Sequence, residues 1–338
     1  MPAQDPAPSP TRCGQSAGTS RAAVPSNASL RCPPLSRRQF LQTAGTAVAT
    51  GFWASPGKCA LDSEPAGIID THVHFYDPTR PGGVPWPPAK DPLLYRPALP
   101  EHYATAAPDV AGVIVVEASP LYSDNHWVLD LAERNPLIVG LIGKLDFRAP
   151  EFGKQLDQLM GNPRFLGTRV SALEWGPHWE RFVACDRILE VIARRDILPK
   201  VLQFCQRAPA QRIVLEHLPF DSSGGPEHRA CLRELAQAPN VYAKLSNALQ
   251  SGRQEPGRLD SLQAEALEEI WQLFGEQRLV FGSNWPVSDR VGTWVQQRDA
   301  LHSFLSERSP TAARRFWGQN SRMLYRWSAR TLRQEAIR

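Results

Sequence analysis

Short apolar segments alternate with segments of helical periodicity between residues 67 and 327. Val110–Glu117 reads VAGVIVVE and is almost wholly apolar, which is typical of a parallel strand buried on both faces. Eight strand–helix units in roughly 270 residues are what a (β/α)8 barrel requires. The sequence therefore predicts an α/β fold, namely a single-domain (β/α)8 TIM-like barrel. The predicted strands are Gly67–Thr71, Val110–Glu117, Leu137–Leu145, Phe165–Val170, Arg187–Ile192, Arg212–Glu216, Asn240–Leu245 and Arg278–Gly282.

Helical spacing occupies most of the segments between these strands. Phe182 to Arg195 also has the spacing of one helix, but we interpret it as a short helix followed by the fifth strand. A dinucleotide-binding sheet is disfavoured, because the Gly-x-Gly-x-x-Gly fingerprint and its acidic partner are absent from the sequence. The other predicted helices are Pro100–Ala107, Asn125–Arg134, Glu151–Met160, one that starts near Asp196, Leu262–Phe274, Gln297–Glu307 and Ala312–Trp327.

The first sixty residues have a different composition, rich in Ala, Pro, Ser and Thr. They contain Arg37 and Arg38 followed by a Phe-Leu step and a mildly apolar run of small residues, the order typical of a twin-arginine export signal. The run is too short to span a membrane. We therefore predict a disordered leader over residues 1–60 and the barrel over residues 61–338. The twin-arginine export machinery is then a partner, the location is periplasmic or otherwise exported, and no membrane association follows processing.

The charge balance argues against nucleic acid as a partner. Residues 1–60 carry six Lys and Arg and one acidic residue, so the remainder of a chain with a net charge of +4 carries −1. A basic surface is therefore not predicted for the barrel. A small-molecule substrate is the partner that a barrel of this kind predicts.

Polar side chains that could carry chemistry follow the predicted strands. His72 and His74 form a His-x-His pair, and because side chains alternate along a strand, both imidazoles point into one space. Two imidazoles at one point are typical of a metal site or a polar catalytic cluster. Active sites of these barrels lie at the carboxyl ends of the strands. The further polar residues at that end are Glu117, Arg169, His217, Lys244, Ser246 and Asn284.

Five segments together resemble one known family. They are IIDTHVHFYDP, FLGTRV, IVLEHL, PNVYAKLSN and FGEQRLVFGSNWPV, in this order. The chain is similar over about residues 67–326 to the amidohydrolase-2 family, and within it to the branch of predicted metal-dependent hydrolases that includes sugar-acid lactonases. The resemblance implies a TIM-like barrel that hydrolyses a lactone or a related C–O or C–N bond, with some decarboxylase relatives.

The resemblance also implies roles for individual residues. His72 and His74 match the strand-one pair that binds a divalent metal in metal-dependent members. His217 matches the strand-six histidine, which usually follows an Asp where this chain has Glu216, and we include it among the possible metal ligands. Lys244 matches the lysine of the strand-seven Lys-Leu-Ser motif.

Asn284 departs from the pattern of the family. The strand-eight motif usually reads Gly-Ser-Asp-Trp-Pro, and its Asp is both a metal ligand and the base that activates water. An amide oxygen can contact a metal, but Asn cannot accept a proton at a useful pH. The base is then Glu117 or His217, and one divalent metal such as Zn²⁺ would polarise the carbonyl.

These observations predict an exported lactonase-like hydrolase. Arg169 and Lys244 would hold the carboxylate or hydroxyl groups of a small sugar-acid or carboxylated lactone, and Trp86 and Trp285 would wall the pocket. Two alternatives follow from the same residues. One is a barrel that has lost catalysis through Asn284 and binds a small molecule, and the other is a decarboxylase-type lyase. A carboxylate within water-bridging distance of the two histidines would favour the enzyme over the binding protein.

Overall fold

The computed structural model describes residues 67–217, 225–246, 248–249 and 259–338. Eight parallel strands follow one another in chain order around one sheet, as the sequence predicts. Their apolar residues are buried on both faces, because helices cover the outside and neighbouring strands the inside. The strands are β1 (Ile68–Val73), β2 (Val110–Val116), β3 (Ile138–Gly143), β4 (Phe165–Val170), β5 (Ile188–Ile192), β6 (Ile213–Glu216), β7 (Val241–Leu245) and β8 (Leu279–Phe281).

Helices connect the strands in the order that a (β/α)8 barrel requires, which confirms the predicted fold. The segment from Phe182 to Arg195 contains a short helix and then β5, as interpreted from the sequence. The helices are α1 (Pro100–Ala106), α2 (Ser123–Arg134), α3 (Phe152–Met160), α4 (Trp179–Ala184), α5 (Leu198–Arg207), α6 (Pro226–Gln237), α7 (Ser261–Phe274), α8 (Trp294–Ser306), α9 (Pro310–Arg314), α10 (Asn320–Tyr325) and α11 (Leu332–Glu335).

The barrel closes where β8 returns to β1. The Thr71 hydroxyl donates to the Phe281 carbonyl at 2.6 Å, and the Asn284 backbone N–H donates to the His72 carbonyl at 2.8 Å. The His74 N–H donates to the Trp285 carbonyl, also at 2.8 Å. These bonds place the residues that follow β8 beside the His-x-His pair.

The helical segments differ from the prediction at three places. The sequence analysis did not identify α6 or α11 as helices, and the predicted helix Ala312–Trp327 is interrupted. A π-helical turn over Arg315–Gln319 separates α9 from α10, and Arg326, at φ 55°, ends α10 in the left-handed region. A π-helical turn occurs as a single-turn bulge inside an α-helix, and such a local change is not resolved by helical spacing read over the whole segment.

Two apolar clusters build the core. The larger one lies between the strands and the surrounding helices, and the smaller one fills the inside of the barrel with residues such as Ile69, Ile114 and Val280. Tyr325 and Trp327, from the end of the chain, belong to the inner cluster. The C-terminal segment therefore closes the end of the barrel opposite the carboxyl ends of the strands.

The predicted leader, residues 1–60, lies outside the described residues. Among the residues that the structure does describe, none of the helices is both long enough and apolar enough to cross a bilayer.

Candidate active site

The two histidines of the predicted pair meet at the carboxyl end of β1. The Nε2 atoms of His72 and His74 are 3.3 Å apart, and both side chains are buried. The His217 ring lies 4.6 Å from the His72 ring, centroid to centroid. The structure therefore brings all three predicted histidines together, as the barrel topology leads one to expect.

Protein groups face the Nδ1 atoms of these rings. His74 Nδ1 donates to the Val116 carbonyl at 3.0 Å, and His217 Nδ1 is 2.9 Å from the Ser246 hydroxyl. His72 Nδ1 faces a Glu216 carboxylate oxygen at 3.6 Å. In metal sites, ligating histidines are typically held in this way through the nitrogen that does not bind the metal. The arrangement leaves the Nε2 atoms of His72 and His74 directed at each other.

The Nε2 atom of His74 lies among acceptors. A carbonyl can only accept, so Nδ1 of His74 carries the proton and its Nε2 carries a lone pair. That lone pair faces His72 Nε2 and, at 3.1 Å, the Oδ1 atom of Asn284. A proton on His72 Nε2 would satisfy the lone pair of His74 Nε2, but it would leave the lone pair of His72 Nδ1 facing the Glu216 carboxylate. A cation bound between the two Nε2 atoms would avoid both the facing lone pairs and the repulsion from Glu216, so these residues fit a metal site.

Two buried polar atoms beside the histidines support the same conclusion. His72 Nδ1 and Glu216 Oε1 have no hydrogen-bond partner, although buried polar atoms are nearly always paired. His72, Glu216 and His217 also present ligand atoms that lie within 4.8 Å of one another. The carboxylate predicted to distinguish an enzyme from a binding protein is thus present, and it is supplied by Glu216.

Arg169 joins the carboxylates of the site. Its Nε donates to Glu117 Oε1 at 3.1 Å, its Nη2 donates to the Glu117 carbonyl at 2.7 Å, and its Nη1 lies 3.5 Å from Glu216 Oε2. Burial opposes ionisation of Glu216, but Arg169 and Lys244 outweigh it and hold the pKa of that carboxyl at about 2. Burial raises the pKa of Glu117, whose side chain remains 15% exposed, despite the neighbouring Arg169. Glu117 is therefore the more basic of the two carboxylates.

Lys244 does not reach the mouth of the barrel. Its side chain is fully buried, and its Nζ donates to both oxygens of Glu190 at 2.8 and 2.7 Å and to the Thr71 carbonyl at 2.8 Å. An ammonium group has three protons, and these three contacts use all of them. This placement corrects the expectation that Lys244 contacts the substrate.

The two predicted tryptophans occupy different positions. The Trp86 ring is half-buried and lies 5.9 Å from the His74 ring, and it lines a narrow crevice that Glu117 also lines. Trp285 is 2% exposed and packs edge-to-face on Phe75 and Tyr103. Trp86 is therefore positioned to wall a pocket, whereas Trp285 supports the site from behind, which corrects the expectation that both wall it.

Local backbone constraints explain the sequence around Asn284. Asn284 has φ 63°, and Asn is one of the few residues that adopt the left-handed region readily. A Cβ atom at Gly282 would lie 2.6 Å from the His72 Cβ, so a larger residue would displace β1 or β8. The Gly-Ser-Asn segment thus allows the close approach that brings the Asn284 amide to His74.

Burial keeps the three histidines neutral at pH 7. It lowers the pKa of His74 to about 3 and that of His217 to about 4, although Glu216 acts in the opposite direction on His217, and it lowers the pKa of His72 well below its ordinary value. Neutral imidazoles are the forms that bind metals and accept protons. The site is therefore competent for either role at neutral pH.

The low pKa values predict a loss of stability in acid. In metal-free protein at pH below about 6.5, histidines of the unfolded chain bind protons that buried His74 does not, so the free energy of unfolding decreases as the pH falls. We expect His74→Gln to reduce the slope of unfolding free energy against pH by about 1.4 kcal/mol per pH unit between pH 5.5 and 4.5. Urea unfolding measured across this range tests the prediction, and the exposed His126→Gln serves as control. Equal slopes in wild type and His74→Gln would contradict it.

Sequence reasoning missed three residues near the site, Glu190, Glu216 and Tyr325, as members of it. Glu190 interrupts the apolar strand β5, and a charged residue in a strand buried on both faces is a usable signal. Glu216 was noted only as the residue before His217. Tyr325 has no local signal, because its hydroxyl reaches Glu190 across 135 positions of the chain.

Comparisons with known proteins agree with the geometry. The model of the Amidohydrolase family matches residues 69–327. An L-fucono-1,5-lactonase of Burkholderia ambifaria is 28% identical over 284 residues, which cover 76% of this chain and 95% of that protein. An L-fucono-1,5-lactonase of Burkholderia multivorans is 29% identical over 283 residues, with the same coverage of 76% and 95%.

A solved structure is also similar. It is an amidohydrolase of Burkholderia multivorans with bound zinc, with a TM-score of 0.67 and 26% identity over 77% of this chain and 99% of that one. The similarity extends over nearly all of that protein.

Proposed function

Because this chain belongs to the Amidohydrolase family and is a hydrolase, we propose that its substrate is a small lactone of a sugar acid. Two relatives that cover most of the chain are L-fucono-1,5-lactonases, which supports a lactone as the class of substrate. The observation that carries the proposal is the convergence of the His72 and His74 Nε2 atoms, 3.3 Å apart, beside the Asn284 amide oxygen. Such a cluster suits the polarisation of an ester carbonyl.

A divalent metal fits this cluster. His72, His74 and Asn284 would hold it, with His217 beside them, and it would act as a Lewis acid toward the lactone carbonyl. The zinc in the related structure supports Zn²⁺ as the metal. His72, His74, Asn284 and His217 are all neutral. The negative charge that balances the metal would therefore come from Glu216, which lies behind the His72 ring.

The remaining residues bind the lactone and move the proton. Trp86 offers an apolar face to the sugar ring, and the Arg169 guanidinium binds its hydroxyl groups or carboxylate. Glu117 accepts the proton of the attacking water, because it is partly exposed and its basicity is raised by burial. Glu117 then returns this proton to the alkoxide that leaves as the ring opens, and neutral His217, with Nδ1 bound to Ser246, can form a hydrogen bond to that oxygen.

The alternative that this barrel only binds a small molecule is not supported. Asn284 lacks the basicity of Asp, but the Glu216 carboxylate lies beside His72, and Arg169 contacts both Glu216 and Glu117. The site therefore retains groups that can accept a proton. No contact among the described residues specifically favours a decarboxylase.

The direct experiment is metal analysis of purified protein together with a panel of aldonolactones. We expect about one equivalent of a transition metal and hydrolysis of at least one six-membered sugar lactone, followed by proton release at pH 7. A panel of matched methyl esters and amides serves as control for the class of bond. Hydrolysis of amides with inert lactones would overturn the proposal.

We also propose that residues 1–60 direct export of the folded protein. Arg37→Lys combined with Arg38→Lys is expected to leave the protein in the cytoplasm, because the paired guanidinium groups are the recognised feature. Fractionation of cells that produce either form measures the result, and Lys58→Arg serves as a charge-conserving control. Unchanged export of the double variant would contradict the proposal.

A further inference from the structure

Three residues form a buried polar chain inside the barrel, beneath the histidines. The Tyr325 hydroxyl donates to Glu190 Oε1 at 2.5 Å, and Lys244 Nζ donates to both oxygens of the same carboxylate at 2.8 and 2.7 Å. Side chains on alternate positions of β5 and β7 point into the barrel, which places Glu190 and Lys244 on its axis. Tyr325 enters from the closed end, at the last residue of α10.

Lys244 and Glu190 form a salt bridge in which both side chains are fully buried. Burial raises the pKa of Glu190 to about 8, and the Lys244 ammonium acts in the opposite direction. A buried ion pair costs desolvation energy that an apolar pair would avoid, so its energetic contribution to folding alone is a weak explanation for it.

The ammonium group of Lys244 also contacts the site above it. It donates to the carbonyl of Thr71, the residue before His72, at 2.8 Å. The same Nζ lies 3.8 Å from Glu216 Oε1, the atom that is 3.6 Å from His72 Nδ1. Lys244 thus holds His72 both through its backbone and through the carboxylate behind its ring.

We propose that Tyr325, Glu190 and Lys244 form a positioning chain that holds Glu216 and orients the imidazole of His72 from the closed end of the barrel. None of the three touches the substrate. Glu190 keeps the ammonium at its place, and Tyr325 keeps the Glu190 carboxylate at its place. The proposal rests on the proposed function only where its test uses hydrolysis as the readout.

Tyr325→Phe is the informative substitution, because it removes one hydroxyl and leaves the ring in the inner core. Lys244→Met would leave Glu190 buried without its cation, and that variant is at risk of not folding. With the hydroxyl removed, we expect kcat on the lactone to fall by about ten- to a hundredfold, as for a hydrogen bond to a charged group, and KM to change by less than about twofold. Tyr242→Phe, at a partly buried residue that packs against the same inner cluster, is the matched control and should leave kcat unchanged.

A double-mutant cycle separates positioning from a general loss of stability. Glu216 is the link between Lys244 and His72, so Tyr325→Phe should have almost no further effect on kcat once Glu216→Gln is present. A role in stability alone would lower the free energy of unfolding by similar amounts in both backgrounds and would leave kcat unchanged. Equal kcat losses in the two backgrounds would also overturn the proposal.

A readout without substrate keeps the inference testable if the lactone assignment fails. In ¹H–¹⁵N spectra of histidine-labelled protein, Tyr325→Phe should shift the His72 imidazole nitrogens and leave those of exposed His126 and His302 at their wild-type positions. Tyr242→Phe should shift none of them. Unshifted His72 nitrogens in folded Tyr325→Phe would overturn the positioning chain, whereas wild-type protein that is inert on every lactone would overturn only the proposed function.

Discussion

His72→Ala and His74→Ala are each expected to lower kcat/KM for the lactone by about a hundredfold or more, roughly 3 kcal/mol of transition-state stabilisation. Each substitution removes one of the two Nε2 atoms that converge beside the Asn284 amide. Steady-state hydrolysis and metal content, measured on the same preparations, check the prediction. The metal content should fall together with the activity.

The fold should survive both substitutions. Ile68 and Ile69 hold β1 in the two apolar clusters and are almost fully buried, whereas the histidines contribute polar contacts. Circular dichroism and thermal unfolding would confirm this, and His126→Ala, on the exposed face of α2, is the control for the loss of an imidazole. Normal turnover by both site variants would place the active site elsewhere.

Glu117→Gln is expected to lower kcat by about a thousandfold or more, because an amide cannot accept the proton of the attacking water. The substitution conserves the shape of the side chain and, through the backbone carbonyl of residue 117, one of the two bonds to Arg169. Measurement of kcat and KM separates loss of the base from loss of binding. Glu174→Gln, an exposed carboxylate paired with Arg148, is the control.

Full activity of Glu117→Gln would assign the base to His217 and contradict the mechanism proposed here, while membership of the family would stand.

A companion substitution tests the departure from the family motif that follows β8. Asn284→Asp should keep or raise activity and tighten metal binding, because it adds a negative charge next to His74. Activity created only by Asn284→Asp, from an inert wild type, would instead indicate a barrel that binds without catalysis.

Much of the fold could be predicted from local patterns. An apolar run such as Val110–Val116 reveals a strand buried on both faces, since its environment is the same at every position. The i and i+2 spacing of His72 and His74 predicts convergence for the same reason, because the alternation of side chains is a property of the extended backbone itself. Local patterns predicted Ala312–Trp327 as one helix, whereas the structure separates α9 from α10 by a π-helical turn.

The composition of the site was predictable only in part. The sequence indicated which polar residues follow the strands, and the structure brings His72, His74 and His217 together, with Arg169 reaching Glu117 and Glu216. It could not show that Lys244 is fully buried inside the barrel. That outcome depends on Glu190, whose carboxyl oxygens accept two of the hydrogen bonds that the ammonium donates.

Sequence by itself thus determined the eight strands, their order and the polar residues at one end of the barrel. Tertiary structure alone decided which of those residues pair: Asn284 meets His74 from 210 positions away, and Tyr325 meets Glu190 from 135. The physical reason is that the direction of a side chain follows from the local backbone, whereas its partner, and with it its charge, follows from barrel closure and from burial. In this protein, that second step separates the histidines that meet at the carboxyl end of β1 from the buried ion pair beneath them.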